Sequence, residues 1–352
     1  MIKFIKRRNR SKLFTFTAPF VSVLLALATA GIIMLFAGVN PLEAYAGMLQ
    51  ESVGSFYGLS ETLVKATPLI LTGLGVSLAF RMQIWNIGAE GQLMMGAVGA
   101  AWVALYSGIS GYAILPVMFF TAAVFGGLWA GVAGFLKAKF RVNEIIVTLL
   151  MNYIAISIVS FLIYGPWKDP KGFNFPLTPQ FAEFARLGSI FNTRLHYGFI
   201  MALVLVLVMY IFMEKTIWGY EIRVIGNNPN AAKYAGIKID RSIIGVLFLS
   251  GALAGVAGFS EVAGIQFRLQ EGISSGYGYT AIIVAWLAGR SALGVLLVSI
   301  IMSIILVGGD SLQILMGLPV AFVNLFQGLI LFFILASDFF INNEIKLIRE
   351  NQ

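Results

Sequence analysis

The chain has no cysteine, a single histidine (His196) and only 11% charged residues across 352 positions. Without cysteine there are no disulfides, thiol nucleophiles or thiolate metal sites. With one imidazole, His-based general catalysis loses most of its usual arrangements. The dipeptide Gly-Lys occurs nowhere, which excludes a phosphate-binding loop of the form GxxxxGK[ST]. Charge is the most consequential shortage. A soluble chain carries roughly 25% charged residues, and a chain with less than half of that cannot cover its surface with groups compatible with water.

What is present in quantity is apolar: 59% of the residues are hydrophobic. This composition is that of an all-α polytopic membrane protein. The start, MIKFIKRRNRSK, is charged like a signal peptide, but the apolar run after it (residues 16–36) exceeds the 7–15 residues of a signal core. It reads as a first transmembrane helix that stays in the protein. At about 20 apolar residues per crossing, ten spans are expected: 14–36, 62–80, 88–108, 113–136, 144–164, 197–213, 242–264, 277–289, 291–309 and 318–338. The eighth is too short to cross alone and reads as a half-helix. The organisation expected is a basic cytoplasmic N-terminus at 1–13, a membrane domain at 14–338 and a cytoplasmic tail at 339–352.

The net charge of +8 needs no acidic partner. With the N-terminus inside, eighteen of the 24 Lys and Arg residues fall in inner segments and six outside, as the positive-inside rule requires. Nucleic-acid binding is therefore not needed to explain them. Ten spans divide into two five-helix halves of opposite orientation. The second and seventh spans, TGLGVSLAF and SGALAGVAGF, are alike in their glycines, and each precedes a polar, glycine-broken stretch: WNIGAEGQ (85–92) and EGISSGYGYT (271–280). Inverted halves with interrupted helices in matching positions characterise transporters. Between the sixth and seventh spans lies a loop, 214–241, with five basic residues. Within it NNPNAAKYAG reads as a short helix: Asn228 caps, Pro229 takes the first helical position, Ala231 and Ala232 favour helix, and Gly236 ends it. Such a helix either docks on a soluble partner or is a plain connection.

WNIGAEGQ, KFRVNEIIVTLLMNYIA (139–155), GYEIRVIGNNPNAAKYAGI (219–237) and SGYGYTAIIVAWLAG (275–289) together resemble the permease subunits of ABC importers. The branch is the one serving simple sugars, branched-chain amino acids and nucleosides, and the chain is most similar to its nucleoside permeases. The likeness runs from about 60 to 340. Two departures stand out: Trp85 replaces a more usual Phe, and AGRSALG (288–294) lacks an expected Asn-His-Pro.

The resemblance implies a transport subunit, not an enzyme, with no cofactor of its own. ATP and Mg would be held by partner ATPase subunits. A second related permease and an extracytoplasmic substrate-binding lipoprotein would complete the importer, in a bacterial cytoplasmic membrane with both termini inside. Residues 226–237 match the helix that contacts the ATPase, so Gly226, Asn228, Pro229, Ala231, Tyr234 and Gly236 are the expected coupling residues.

On the same reading Trp85, Asn86, Glu90, Gln92, Glu144, Asn152, Tyr277 and Tyr279 are the substrate-pathway candidates. Amides and carboxylates suit a neutral, hydroxyl-rich substrate, and the aromatics suit a sugar or base face. The alternative is that Asn86, Glu90 and Gln92 only satisfy broken helix ends and hold the fold. The substrate expected is a nucleoside, with simple sugars such as ribose or galactose as the alternative. A proton-coupled secondary carrier using Glu144 or Glu261 is the rival mechanism. Glu261 is expected at the outer headgroups, and His196 has no assigned role.

Overall fold

The computed structural model describes residues 2–6 and 12–347. Arg7, Arg8, Arg10 and Arg349, part of the basic ends, lie outside the described residues. Among the described residues there are thirteen α-helices: α1 (Lys12–Phe36), α2 (Pro41–Val53), α3 (Phe56–Arg81), α4 (Ala89–Tyr106), α5 (Ile114–Phe140), α6 (Glu144–Tyr164), α7 (Gly198–Lys215), α8 (Ile217–Asn227), α9 (Pro229–Tyr234), α10 (Ile239–Glu261), α11 (Tyr277–Leu287), α12 (Ala292–Met316) and α13 (Val320–Asn342). A π-helical turn, Val262–Gln266, prolongs α10. Two short strands, β1 (Ile2–Lys6) and β2 (Asn343–Leu347), pair antiparallel. Among the described residues six helices are long and apolar enough to cross a membrane: α3, α5, α6, α7, α12, and α10 with its π-turn. The protein is all-α and polytopic, and each of the ten expected spans coincides with a helix.

Three differences from expectation have plain causes. α3 starts at Phe56, six residues before the apolar stretch begins, and this added stretch already carries buried Gly58 and Ser60. α2 is set off from α1 by a 116° bend. Asn40 caps it, its side-chain oxygen accepting from the Leu42 amide at 3.1 Å, and Pro41 follows at the first position. α8 fills a segment expected to be loop. Its sequence, IWGYEIRVIGN, is too short and too rich in β-branched residues to announce a helix by propensity, yet Gly219, Ile222 and Ile225 form one buried face.

The chain forms two compact units. In the first, residues 1–55 and 305–352, α1 packs along α13 and against α2. Tyr45 donates its hydroxyl to the Leu27 carbonyl at 2.6 Å. In the second, residues 56–304, α10 runs through the middle against α3, α4 and α5, and α3 also meets α11. Each of the two glycine-rich helices, α3 and α10, thus contacts the other and the helix that follows the other, α11 and α4 respectively. The packing depends on missing side chains. A Cβ on Gly96 of α4 or Gly126 of α5 would run into the backbone of Gly255 on α10. Bare backbone faces let three helices cross at the closest distance, the main source of attraction between helices where lipid removes the hydrophobic drive.

Candidate functional site

The α3–α4 break is the centre of the second unit's polar interior. α3 ends at Arg81 and α4 begins at Ala89; between them the amides of Met82, Gln83 and Ile84 still donate to carbonyls of the last turn of α3. The amides of Trp85, Ile87 and Gly88 are met by side chains. Asn86 and Gln92 form a reciprocal amide pair, Nδ2 to Oε1 at 2.9 Å and Nε2 to Oδ1 at 2.8 Å. Asn86 Nδ2 also donates to Ser250 Oγ on α10 at 2.8 Å, and Asn86 Oδ1 accepts from the Gly88 amide at 3.1 Å. α6 covers the rest. Thr148 Oγ1 accepts from the Ile87 amide at 3.2 Å. Asn152 takes the Gly91 amide on its oxygen and gives its nitrogen to the Ile87 carbonyl, both at 2.9 Å. Glu144 receives the Trp85 amide at 3.4 Å and pairs with Lys137 of α5 at 2.5 Å.

Glu90 occupies the point where two helix starts meet. Its carboxylate accepts from the Gly278 amide of α11 at 2.7 Å, and the Ser274 hydroxyl and Gly276 amide also bond to it. Gly278 lies so close to the backbone of Ala89 and Glu90 that a Cβ there has no room. Two positive helix ends therefore abut, with a buried carboxylate between them, the sign that helix dipoles favour.

All eight expected pathway residues gather around this break, in different states. Asn86, Glu90, Gln92, Glu144, Asn152 and Tyr277 are buried. Trp85 is partly buried, stacked on Trp286 at 5.1 Å and tilted against Phe80 at 5.0 Å. Tyr279 is 39% exposed, its hydroxyl 3.4 Å from Asn152 Nδ2. Thr148, Ser250, Ser274 and Trp286 were missed from sequence. Thr148 had a signal, standing one turn from both Glu144 and Asn152 on α6. Ser250, 164 residues from its partner, had none.

The expected coupling residues lie elsewhere in the unit, on α8 and α9. Asn228 caps α9 as expected, its side-chain oxygen accepting from the Asn230 and Ala231 amides at 3.1 Å each. Pro229 holds the first position and Gly236 takes a left-handed φ of +76° past its end. Tyr234 is 95% exposed and Ala232 fully buried. Gly226 lies against the Arg81 carbonyl with no space for a side chain. Arg81 is a hub here: it donates to the Arg290 carbonyl at 2.7 Å and pairs with Glu214 at 2.6 Å, which Arg223 approaches at 3.2 Å. Arg141 pairs with Asp240 at 3.4 Å. Residues assigned to one side of the membrane by charge thus meet one another. Of those assigned to the opposite side, Arg194 pairs with Glu61 at 3.0 Å and Arg186 stands over Phe267 at 5.0 Å.

Two residues differ from their expected settings. Glu261 is 3% exposed, enclosed within the protein where α10 passes into the π-turn, and not at the outer headgroups. His196 is buried, its Nδ1 accepting from the Gly198 amide at 3.1 Å while Nε2 has no partner. Burial lowers its pKa to about 4.

Multi-pass all-α architecture around abutting broken helices defines a membrane protein of the transporter type. A family profile described as the permease component of the branched-chain amino acid transport system matches residues 58–335, and the chain belongs to that family. It is 37% identical to the glucose ABC transporter permease protein of Haloferax volcanii over 95% of this chain and 90% of that one. It is 35% identical to the guanosine ABC transporter permease protein of Bacillus subtilis (91% and 92% covered). With the nucleoside ABC transporter permease protein of Lactococcus lactis the identity is 30% (90% and 89%).

Proposed function

We propose that this chain forms the translocation pathway of an ATP-driven importer of nucleosides. It sits in a bacterial cytoplasmic membrane with both termini inside. ATP and Mg are bound by partner ATPase subunits, a second related permease stands beside it, and an extracytoplasmic binding lipoprotein delivers substrate. The observation that carries the reading is the likeness to the guanosine and nucleoside permeases along about nine-tenths of the chain. The exposed α8–α9 segment with Tyr234 is the contact for the ATPase. The residues around the α3–α4 break hold the pathway wall, with Tyr279 the most exposed of them.

A second reading has its own support: the 37% identity to a glucose permease favours a simple sugar as cargo. Competition decides between them. Cells carrying the assembled transporter should take up labelled guanosine, and excess unlabelled nucleosides should suppress that uptake while glucose does not. Suppression of labelled glucose uptake, with guanosine ignored, would replace the nucleoside by the sugar. Uptake that survives ATP depletion and stops when the proton gradient collapses would favour the carrier reading built on Glu144 or Glu261.

A further inference from the structure

Beyond the break, α6 carries a line of residues at helical spacing: Asn152, Tyr153, Ile156 and Ser160. Asn152 meets Tyr279, and Tyr153 is exposed beside it in sequence. At the far end of the line the second unit has a hollow of about 250 Å3, walled by Met94 of α4, Ile156, Val159 and Ser160 of α6, and Gln270 and Glu271 from the connection to α11. That connection is fastened on both sides. The Thr178 amide donates to the Leu269 carbonyl at 2.9 Å, the Leu269 amide donates to Thr178 Oγ1 at 3.0 Å, and Leu177 bridges to Gln270. A few residues on, Ser274 and Gly278 are held by Glu90.

We propose that this hollow is a binding subsite for the hydroxylated ring of the transported molecule, on the way to the helix break. Its chemistry is that of a sugar site. A carboxylate accepts from two neighbouring ring hydroxyls. The Gln270 amide keeps its oxygen and one N–H beyond its bond to Gln266 Oε1 at 2.8 Å, and the Ser160 hydroxyl accepts while donating to Glu271. Met94, Ile156 and Val159 present an apolar wall to the C–H face. Glu271 is exposed and Ser160 Oγ stands 3.5 Å from Glu271 Oε1, so the carboxylate keeps free acceptor capacity. Its volume lies below the roughly 300–1,000 Å3 of a drug-sized ligand's pocket. A single ring fits, with any base left outside. The shared chemistry is a vicinal diol, from the ribose of a nucleoside or the ring of a hexose.

The inference rests on the importer reading, and the test separates the two. Because the chain has no cysteine, Ser160→Cys provides the one thiol in it, and Phe173→Cys, in the exposed segment between α6 and α7, serves as control. In cells carrying the whole transporter, an impermeant methanethiosulfonate labels both. Saturating guanosine should slow labelling at Ser160→Cys about tenfold, the effect of occupancy near 90%, and leave Phe173→Cys unchanged. If glucose protects instead, the ring is that of a hexose. Independently, Glu271→Gln should lower the maximal uptake of guanosine about tenfold with normal abundance, one charge-assisted hydrogen bond having been lost. If guanosine or glucose is taken up while Ser160→Cys is unprotected and Glu271→Gln transports normally, the subsite is refuted and the importer reading stands. If neither compound is taken up or protects, both fall.

Discussion

Asn86 and Gln92 illustrate how an isolated polar residue in an apolar chain is made safe. Their mutual amide bonds leave no donor or acceptor on Asn86 without a partner, and Ser250 and the Gly88 amide share the network. Leaving a buried polar group unmade costs about 1–3 kcal/mol. Asn86→Ala strands three partners at once, so thermal stability in detergent and abundance in the membrane should both drop. Uptake per molecule at Glu90→Gln asks the other question. If it falls while abundance holds, Glu90 handles cargo; if abundance falls in step, Glu90 braces the joint.

His196 gives a pH prediction. Its pKa is near 4 in the fold and about 6.5 in the unfolded chain. The unfolded state therefore takes up the proton first. The stability associated with the neutral ring is complete above pH 6.5 and is lost as pH falls towards 4, by about 3 kcal/mol in all. Melting of the purified chain between pH 7 and 4.5 should show this loss, and His196→Gln should flatten that part of the profile.

At the scale of elements, α9 is held by its ends. Asn228 supplies the first turn and Gly236 the exit, while Ala232 anchors the middle and Tyr234 points out. Gly236→Val puts a β-branched residue at φ +76°, which costs about 1–2 kcal/mol and should displace α9 without unfolding α8. Tyr234→Ala changes no buried contact. Under the proposed function both should raise ATP hydrolysis uncoupled from uptake in the reconstituted importer. Normal coupling in Tyr234→Ala would remove that side chain from the ATPase contact.

For the whole molecule, the charge distribution makes a sidedness prediction. Asn230→Cys should resist an impermeant thiol reagent applied to intact cells, and Phe173→Cys should react with it. Reversal of the two would invert the topology. The purified chain alone in liposomes should show no uptake with ATP or with a proton gradient, since it contains no Gly-Lys phosphate loop. Gradient-driven uptake by the lone chain would end the importer reading.

Composition, span positions and the α9 caps were legible without coordinates because each is a local property. Lipid demands long apolar helices wherever backbone must cross it, and an Asn-Pro start or a glycine exit acts within one turn. Tertiary structure decided everything that depends on distant partners. WNIGAEGQ announced a break, but only folding showed that Ser250, Asn152 and Gly278 complete it, that two helix starts abut at Glu90, and that Trp85 stacks on Trp286. Glu261 looked like an interfacial carboxylate from its place late in a span, and the fold buries it. α8 was invisible because its stability comes from one packed face, not from its own residues. The sequence by itself determined that this is an all-α polytopic membrane protein and where its apolar helices fall. Which polar groups meet between them was left to packing, because a side chain acquires its partner only when segments far apart in the chain are brought to hydrogen-bonding distance.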